Sequence, residues 1–441
     1  MFTIPGWICR GQSVSSPITM AIILVIALLI GVPIAISLGV TSLVGLIGKG
    51  MPLEYLAKTV YNAVDSFTVI AIPMFILSGA IMEKGGLTRR LVNFAKAMVG
   101  DSPGGLAVVT VLTCAMFAAI SGSGPATTAA IGSILVPAMV REGYNKNFAG
   151  SIAACSGGIG VVIPPSILMI VYGVSAEVSI TTLFTAGFLP GILLAVLLIL
   201  AVKFVSIRKG YRSAAEPRTF KNVLVQMYNA KWALLSPVII LGGIYGGIFT
   251  VTEASIVAVL YSLFVTTVIY KEFKLPDLRA TVLYMARLTG SVLVILMFGT
   301  IFGRVLAVYQ VPQKVSQVLT SAIVNPIALV LLIDLLLLFI GMWMESITMI
   351  VILVPLLLPA VVAAGIHPIQ FGVMFVIACE IGYETPPLGV NLFVASEIAG
   401  TTIEGISKPA LLLAMAEVVA LILVSLIPQI SLVLPRIFGM L

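Results

Sequence analysis

The sequence predicts an all-α polytopic membrane protein built from two inverted-topology repeats, each with a re-entrant hairpin and a discontinuous helix. Three observations carry that prediction. Of 441 residues, 60% are hydrophobic and 9% charged, with a mean hydropathy of +1.20, whereas a soluble domain is about 25% charged. Apolar stretches close to the roughly 20 residues that a crossing needs follow one another from Ile18 to the C-terminus. Finally, Pro137 and Pro359, Ala138 and Ala360, Gly143 and Gly365, Gly160 and Gly382, Pro164 and Pro386, and Pro165 and Pro387 are all 222 residues apart. The second half repeats the first.

The same composition sets several function classes aside. A net charge of +7 and a pI near 9.2 are explained by loop lysines and arginines that orient a membrane chain, so the lipid bilayer is the expected partner and nucleic acid is not. Cys9, Cys114, Cys155 and Cys379 stand far apart without CxxC spacing and read as small core residues. Gly48-Lys49 lacks the rest of a Walker A motif, with Leu43 in place of its first glycine and Gly50 in place of Ser/Thr. His367, the only histidine, leaves almost no material for a zinc site or a Ser-His enzyme. Neither an enzyme nor an organic cofactor is expected.

Taken in order, residues 1–17 read as a short extramembrane lead: they hold one arginine and no apolar run of signal-peptide length. The first repeat, 18–207, begins with a membrane helix over 18–48, an amphipathic part, and a further segment over 67–83. Two arms follow, 104–120 and 125–141, separated by Ser121-Gly122-Ser123-Gly124. Arms of about 17 residues sit at the lower limit for a crossing, which favours a re-entrant hairpin. The segment 148–178 is broken by Pro164-Pro165, and 183–207 closes the repeat. Residues 208–231 form a basic connector with Arg208, Lys209, Arg212, Arg218, Lys221 and Lys231 against Glu216 alone, a pattern that places it in the cytoplasm.

The second repeat, 232–441, gives segments over 232–249, 251–270 and 280–309, then arms over 325–342 and 347–364. A broken segment over 369–398 is interrupted at Glu384-Thr385-Pro386-Pro387, and a last helix covers 409–434. The match between repeats continues after a small gap, with Thr181-Thr182 answering Thr401-Thr402 and Pro190 answering Pro409. An odd number of crossings in each half makes the repeats inverted.

The breaks carry the chemistry. In GGIGVVIPPSILMIVYG, Gly157 to Gly173, each proline removes an N–H and would cost about 3 kcal/mol inside a helix. Irregular backbone at membrane depth survives only where protein buries it or it lines a water-filled cavity. Interrupted segments at corresponding positions of two halves point to a transporter's binding site. A break frees carbonyls for a cation, while half-helix N-termini face an anion. Ser121 and Ser123 supply hard oxygen ligands at the first tip; Ser346 sits at the second, and Thr385 and Asn391 flank its break. Two proline kinks among small packing residues are the plainer alternative, and Ser156, Gly157 and Gly158 suit close packing equally well.

Ionisable residues in apolar segments are further candidates: Asp65, Asp334, Glu345, Glu380, Glu384 and Glu397, with Glu380 and Glu384 on one helix face. Their alternative is a place at a helix end in the interface. Arg287 and Arg304 could meet an anionic substrate or snorkel to headgroups. GGIYGG, 242–247, has GxxxG spacing suited to close helix packing.

GGIGVVIPPSILMIVYG and YETPPLGVNLFVAS, with Ala71-Ile72-Pro73-Met74-Phe75, Gly79 and the tip SGSGPATTAAIG, resemble the large membrane subunit of tripartite ATP-independent periplasmic (TRAP) transporters from about residue 18 onward. The resemblance implies a multi-pass protein of the bacterial inner membrane that imports organic acids such as sialic acid or C4-dicarboxylates with sodium. A periplasmic binding protein would deliver the substrate, and a small four-helix membrane subunit would be a partner. It also implies an elevator-type fold like that of the ion-transporter superfamily. Carried over, the first sodium site would involve Ser121, Gly122, Ser123, Gly157, Gly158 and Pro164, and the second Glu345, Ser346, Gly382, Thr385 and Pro386. Substrate would meet Ser123, Pro165, Ser166, Pro387 and Asn391. Glu345 stands where the first tip has Ser123, so the two sites need not be equivalent. An ion channel or a scaffold subunit of a membrane complex is the rival reading, although a channel needs a continuous polar stripe and polar residues here collect at two breaks.

Overall fold

The computed structural model describes residues 16–211, 218–323 and 325–441. Cys9, nearly all of the 1–17 lead, Arg212 and Glu216 lie outside the described residues. The first half comprises α1 (Pro17–Leu29), α2 (Ile34–Gly48), α3 (Leu53–Val64), a 3-10 turn (Phe67–Ile70) running into α4 (Ala71–Lys84), α5 (Leu87–Val99), α6 (Gly105–Ser121), α7 (Gly124–Arg141), α8 (Lys146–Val162), α9 (Ile167–Ser175) and α10 (Ile180–Arg208). The second half comprises α11 (Phe220–Tyr245), α12 (Val251–Phe264) ending in a π-turn (Val265–Ile269), α13 (Leu275–Val308), α14 (Val311–Ala322), α15 (Pro326–Gly341), α16 (Ser346–Ala363), α17 (Pro368–Tyr383), α18 (Val390–Ala399), α19 (Ile403–Leu426) and α20 (Pro428–Ile437). No strand occurs among the described residues. Among the described residues seven helices are long and apolar enough to cross a membrane, or eight if α8 and α9, bent by 46°, make one span.

Local chemistry sets the helix starts. Asn145 accepts from the Asn147 and Phe148 N–H groups, Ser179 from Thr182, and Thr402 from Gly405, each satisfying donors that the first turn cannot. Thr250 and Glu253 close a reciprocal capping box at the start of α12.

Two expectations are corrected. The helix over 18–48 is two helices, because Gly31 takes φ +81° and Pro33 has no N–H to continue the ladder. The last helix starts at Ile403, under its Thr402 cap, and is interrupted before Pro428. Within the 208–231 connector, α11 begins at Phe220. Two helices, α5 and α14, were not anticipated: both are amphipathic and too short and polar to cross.

The halves interlock. Helix α2 packs on α13, α4 on α12 and α5 on α11, while α18 and α19 both pack on α8. Ser78 and Ser262 hydroxyls meet at 2.8 Å across the α4–α12 seam. Lipid offers no hydrophobic drive for helix association, so such close packing and hydrogen bonding hold the bundle together. On the outside, α1 exposes Ile22, Val25, Ile26 and Leu29, and α10 exposes Ile192, Val196, Leu200 and Phe204. These stripes suit acyl chains.

Elements recur in the same order. Each half has a hairpin (α6–α7, α15–α16), a broken helix (α8–α9, α17–α18) and a long closing helix with an internal proline (Pro190 in α10, Pro409 in α19). Gly143 and Gly365 both take positive φ, +86° and +82°, and Pro164-Pro165 and Pro386-Pro387 are both cis.

Candidate functional site

Each hairpin tip is tied to the break of its own half. At the first, the Ile167 N–H donates to the Gly122 carbonyl at 3.3 Å. Gly122 has φ +65°, and a Cβ there would stand 2.7 Å from the Pro165 carbonyl oxygen. At the second, the Leu388 N–H donates to the Met342 carbonyl at 3.0 Å, and a Cβ on Gly382 would stand 2.5 Å from the Gly341 carbonyl oxygen. Only glycine allows either approach.

The carbonyls that the prolines leave without a helical partner are those four residues earlier, Gly160 and Val161 in α8, and Gly382 and Tyr383 in α17. The Gly382 carbonyl is taken up by the Thr385 N–H at 3.2 Å. Gly157 and Gly158 both lie within regular α8, Gly157 against Thr128 and Gly158 against Glu380 and Glu384. They serve close packing, because side-chain oxygens fill the space a Cβ would need.

At the first tip, Ser121 is buried and Ser123 half-buried, and the Thr127 hydroxyl donates to the Ser123 carbonyl at 2.8 Å. Both serines line a cleft of about 20 Å³ together with Glu83 and Tyr284, room for roughly one water-sized occupant. Pro164, Pro165 and Ser166 are buried, and the Ser166 hydroxyl caps α9 by accepting from Met169.

The second tip is built around Tyr383. Its hydroxyl donates to Glu345 at 2.9 Å and accepts from the Ser346 N–H at 3.4 Å, while the other Glu345 oxygen accepts from Thr348 N–H at 3.0 Å. Both Glu345 oxygens are thus engaged by the protein. The Ser346 and Thr348 hydroxyls, fully buried, have no hydrogen-bond partner. The Thr385 hydroxyl donates to Ile381 at 2.6 Å; Pro386 is half-buried and Pro387 exposed.

Glu380 and Glu384 are fully buried, as is Glu417 of α19, whose oxygens are unpaired. Cys155, Glu384 and Glu417 bring a thiol and two carboxylates within 4.8 Å of one another. No lysine or arginine pairs with this cluster among the described residues. Asp334 is also buried, whereas Asp65 and Glu397 are exposed. Sequence reasoning missed Glu83 and Glu417, although Glu417 is a lone acid in the apolar core of LLLAMAEVVALILVS, the signal used for the others.

A larger cavity of about 600 Å³ lies between α3, α9, α13 and α16, with Lys58, Glu177 and Arg304 in its lining. A second, of about 480 Å³, shares Ser66, Val174 and Glu177 with it. Arg304 faces this space; Arg287, also exposed, is not part of it.

A polytopic helical bundle with paired hairpins and broken helices is a membrane-transporter fold. The Alcanivorax borkumensis YdaH transporter superposes with a TM-score of 0.63 at 14% identity, covering 85% of this chain and 88% of that one. The Neisseria gonorrhoeae MtrF structure gives 0.62 at 13% identity, covering 94% and 96%. The family described as tripartite ATP-independent periplasmic transporter, DctM component, matches residues 21–430, and the chain belongs to it. It is 44% identical over 404 residues to the isethionate TRAP transporter permease protein DctMQ of Oleidesulfovibrio alaskensis, covering 91% of this chain and 64% of that one, less than two thirds of its length. It is 42% identical over 386 residues to the C4-dicarboxylate TRAP transporter large permease protein DctM of Pseudomonas aeruginosa, covering 87% and 90%. It is 36% identical over 412 residues to the sialic acid TRAP transporter large permease protein SiaM of Vibrio cholerae, covering 92% and 96%. The protein is a multi-pass permease of the inner membrane and not an enzyme.

Proposed function

We propose that this chain carries a small organic acid into the cell together with two or more sodium ions, working with a small four-helix membrane subunit and a periplasmic binding protein. The observation that carries the reading is the hydrogen bond from each break to its own hairpin tip, Ile167 to Gly122 and Leu388 to Met342. It gathers serine and threonine hydroxyls around irregular backbone at two places, as a hard alkali cation requires. The unpartnered Ser346 and Thr348 hydroxyls and the Ser121–Ser123 cleft supply donors of that kind. The relatives are named for C4-dicarboxylate, sialic acid and isethionate, all small acids. The isethionate relative is longer than this chain and is named DctMQ, which fits a small membrane subunit joined to a large one. Substrate movement would follow an elevator cycle in which hairpins and broken helices slide against α2, α4, α11, α12 and α13.

The test is uptake by liposomes holding this chain with its small subunit, supplied with binding protein and, in turn, succinate, isethionate and sialic acid. Accumulation of one of these acids with an inward sodium gradient, and not with potassium or choline, is the expected result. Equal uptake in all three buffers would remove the sodium reading.

A further inference from the structure

We infer that the cavity between α3, α9, α13 and α16 is an entry site for the transported organic anion, held there by Lys58 and Arg304 before it reaches the hairpin tips. This deepens the import reading and rests on it for the identity of the ligand. At about 600 Å³ the space is of small-ligand size. It is a built cavity and not a packing fault. Helix α3 turns Tyr55, Lys58, Thr59 and Asn62 toward it, a spacing of three and four residues that makes one polar stripe on one face. Lys58, Asn62 and Arg304 are exposed within this open cleft, where an anion arriving from water can reach them, while Thr59 and Ala63 of the same helix as Lys58 are buried against the bundle.

Opposite, Thr300 and Arg304 lie one turn apart on α13. Beside them α13 is drawn close to α16, since a Cβ on Gly303 would stand 3.1 Å from Pro355 Cγ. Neither Lys58 nor Arg304 has an ion-pair partner among the described residues, where the pairs are Arg89 and Arg90 with Glu272. Two cations meet one carboxylate, Glu177, in the lining. Arginine offers a flat fork of donors that fits a carboxylate or sulfonate, and lysine adds a point charge. Walls come from α13 on one side and from α9 and α16 of the broken helix and hairpin on the other, so the sliding proposed above would change the site.

The experiment reads the cavity independently of transport. Asn62→Cys is made in a Cys9→Ser background; Cys114, Cys155 and Cys379 are buried. The variant, reconstituted with the small subunit, is reacted with a sulfonate-bearing and a trimethylammonium-bearing methanethiosulfonate reagent, each rate normalised to that of a free thiol. The sulfonate reagent should be favoured by about tenfold or more. Lys58→Gln with Arg304→Gln should abolish that preference, and Glu177→Gln should increase it. The acid that wild type accumulates should slow the reaction at millimolar concentration, while a phosphate headgroup analogue, glycerol 3-phosphate, should not. In uptake, Arg304→Gln should raise the half-saturating acid concentration at least tenfold without moving the sodium requirement. Equal normalised rates for the two reagents, no protection by the acid, or an unchanged half-saturating concentration would each overturn the proposal. Absence of sodium-driven uptake in wild type would instead sink the import reading, and the labelling ratio would still report the charge of the cavity.

Discussion

The Asn391 side-chain amide donates a 2.6 Å hydrogen bond to Glu380 Oε1, and the same nitrogen lies 3.3 Å from the Ala154 carbonyl. One amide therefore joins α18 to α17 across the second break and both to α8 of the other half. Asn391→Leu would leave the buried Glu380 Oε1 without its amide donor, costing about 1–3 kcal/mol, while the Ala154 carbonyl keeps its place in the ladder of α8. Thermal unfolding of the purified variant in detergent should show a clear fall in midpoint. An unchanged midpoint would mean that the amide contributes nothing to stability there.

Gly122→Ala and Gly382→Ala put a methyl group where a carbonyl oxygen of the partner segment already stands, at 2.7 Å and 2.5 Å. The tip must then lift off the break. Each should abolish most uptake in liposomes while the protein still inserts and binds the small subunit. Gly365→Ala is the control for Gly122: its φ of +82° is positive as well, but nothing lies within 4 Å of its Cβ. It should cost about 1–2 kcal/mol of stability from backbone strain alone and leave uptake largely intact.

Ser123→Ala and Thr385→Ala each delete one hydroxyl oxygen without altering the backbone and should raise the sodium concentration for half-maximal uptake. Thr385→Ser keeps both the oxygen and the 2.6 Å bond to Ile381 and should behave as wild type. With two sodium ions and a monoanion, one net positive charge enters per cycle, adding roughly 2.3 kcal/mol per 100 mV. A potassium–valinomycin potential, negative inside, should therefore speed uptake, and insensitivity to it would exclude that stoichiometry.

The inverted-repeat reading requires the two ends of the first half to face opposite compartments. Cysteines placed at Ser16 and at Lys209 should react with an impermeant maleimide from opposite sides of the membrane, Lys209 from the cytoplasm. Labelling of both from one side would remove the inversion.

The hairpins and breaks were legible because proline and glycine act on their own backbone. Pro164-Pro165 ends α8 and Pro386-Pro387 ends α17 whatever surrounds them, and Ser121-Gly122-Ser123-Gly124 turns the chain wherever it falls. Gly31-Val32-Pro33 carried the same signal, masked by the length of the apolar run around it. Helices α5 and α14 were missed for another reason: amphipathic segments of 13 and 12 residues advertise neither a crossing nor a soluble core. What the sequence could not display is convergence. Glu83 comes to line one cleft with Ser121 and Ser123, and Lys58 one cavity with Arg304, only after helices distant in the chain have packed. Gly157 and Gly158 were open to two readings in the sequence, and their neighbours Thr128, Glu380 and Glu384 come from helices that no local pattern names.

The seams of α2 on α13, α4 on α12, α5 on α11 and α8 on α18 and α19 have a consequence for how the chain is made. During synthesis the first half enters the bilayer with its partners still on the ribosome, and must persist there without them. Halves that share so many seams should fold only together. A gene divided between codons 209 and 219 should yield two fragments that protect one another when co-expressed, whereas either fragment alone should be cleared by membrane proteases.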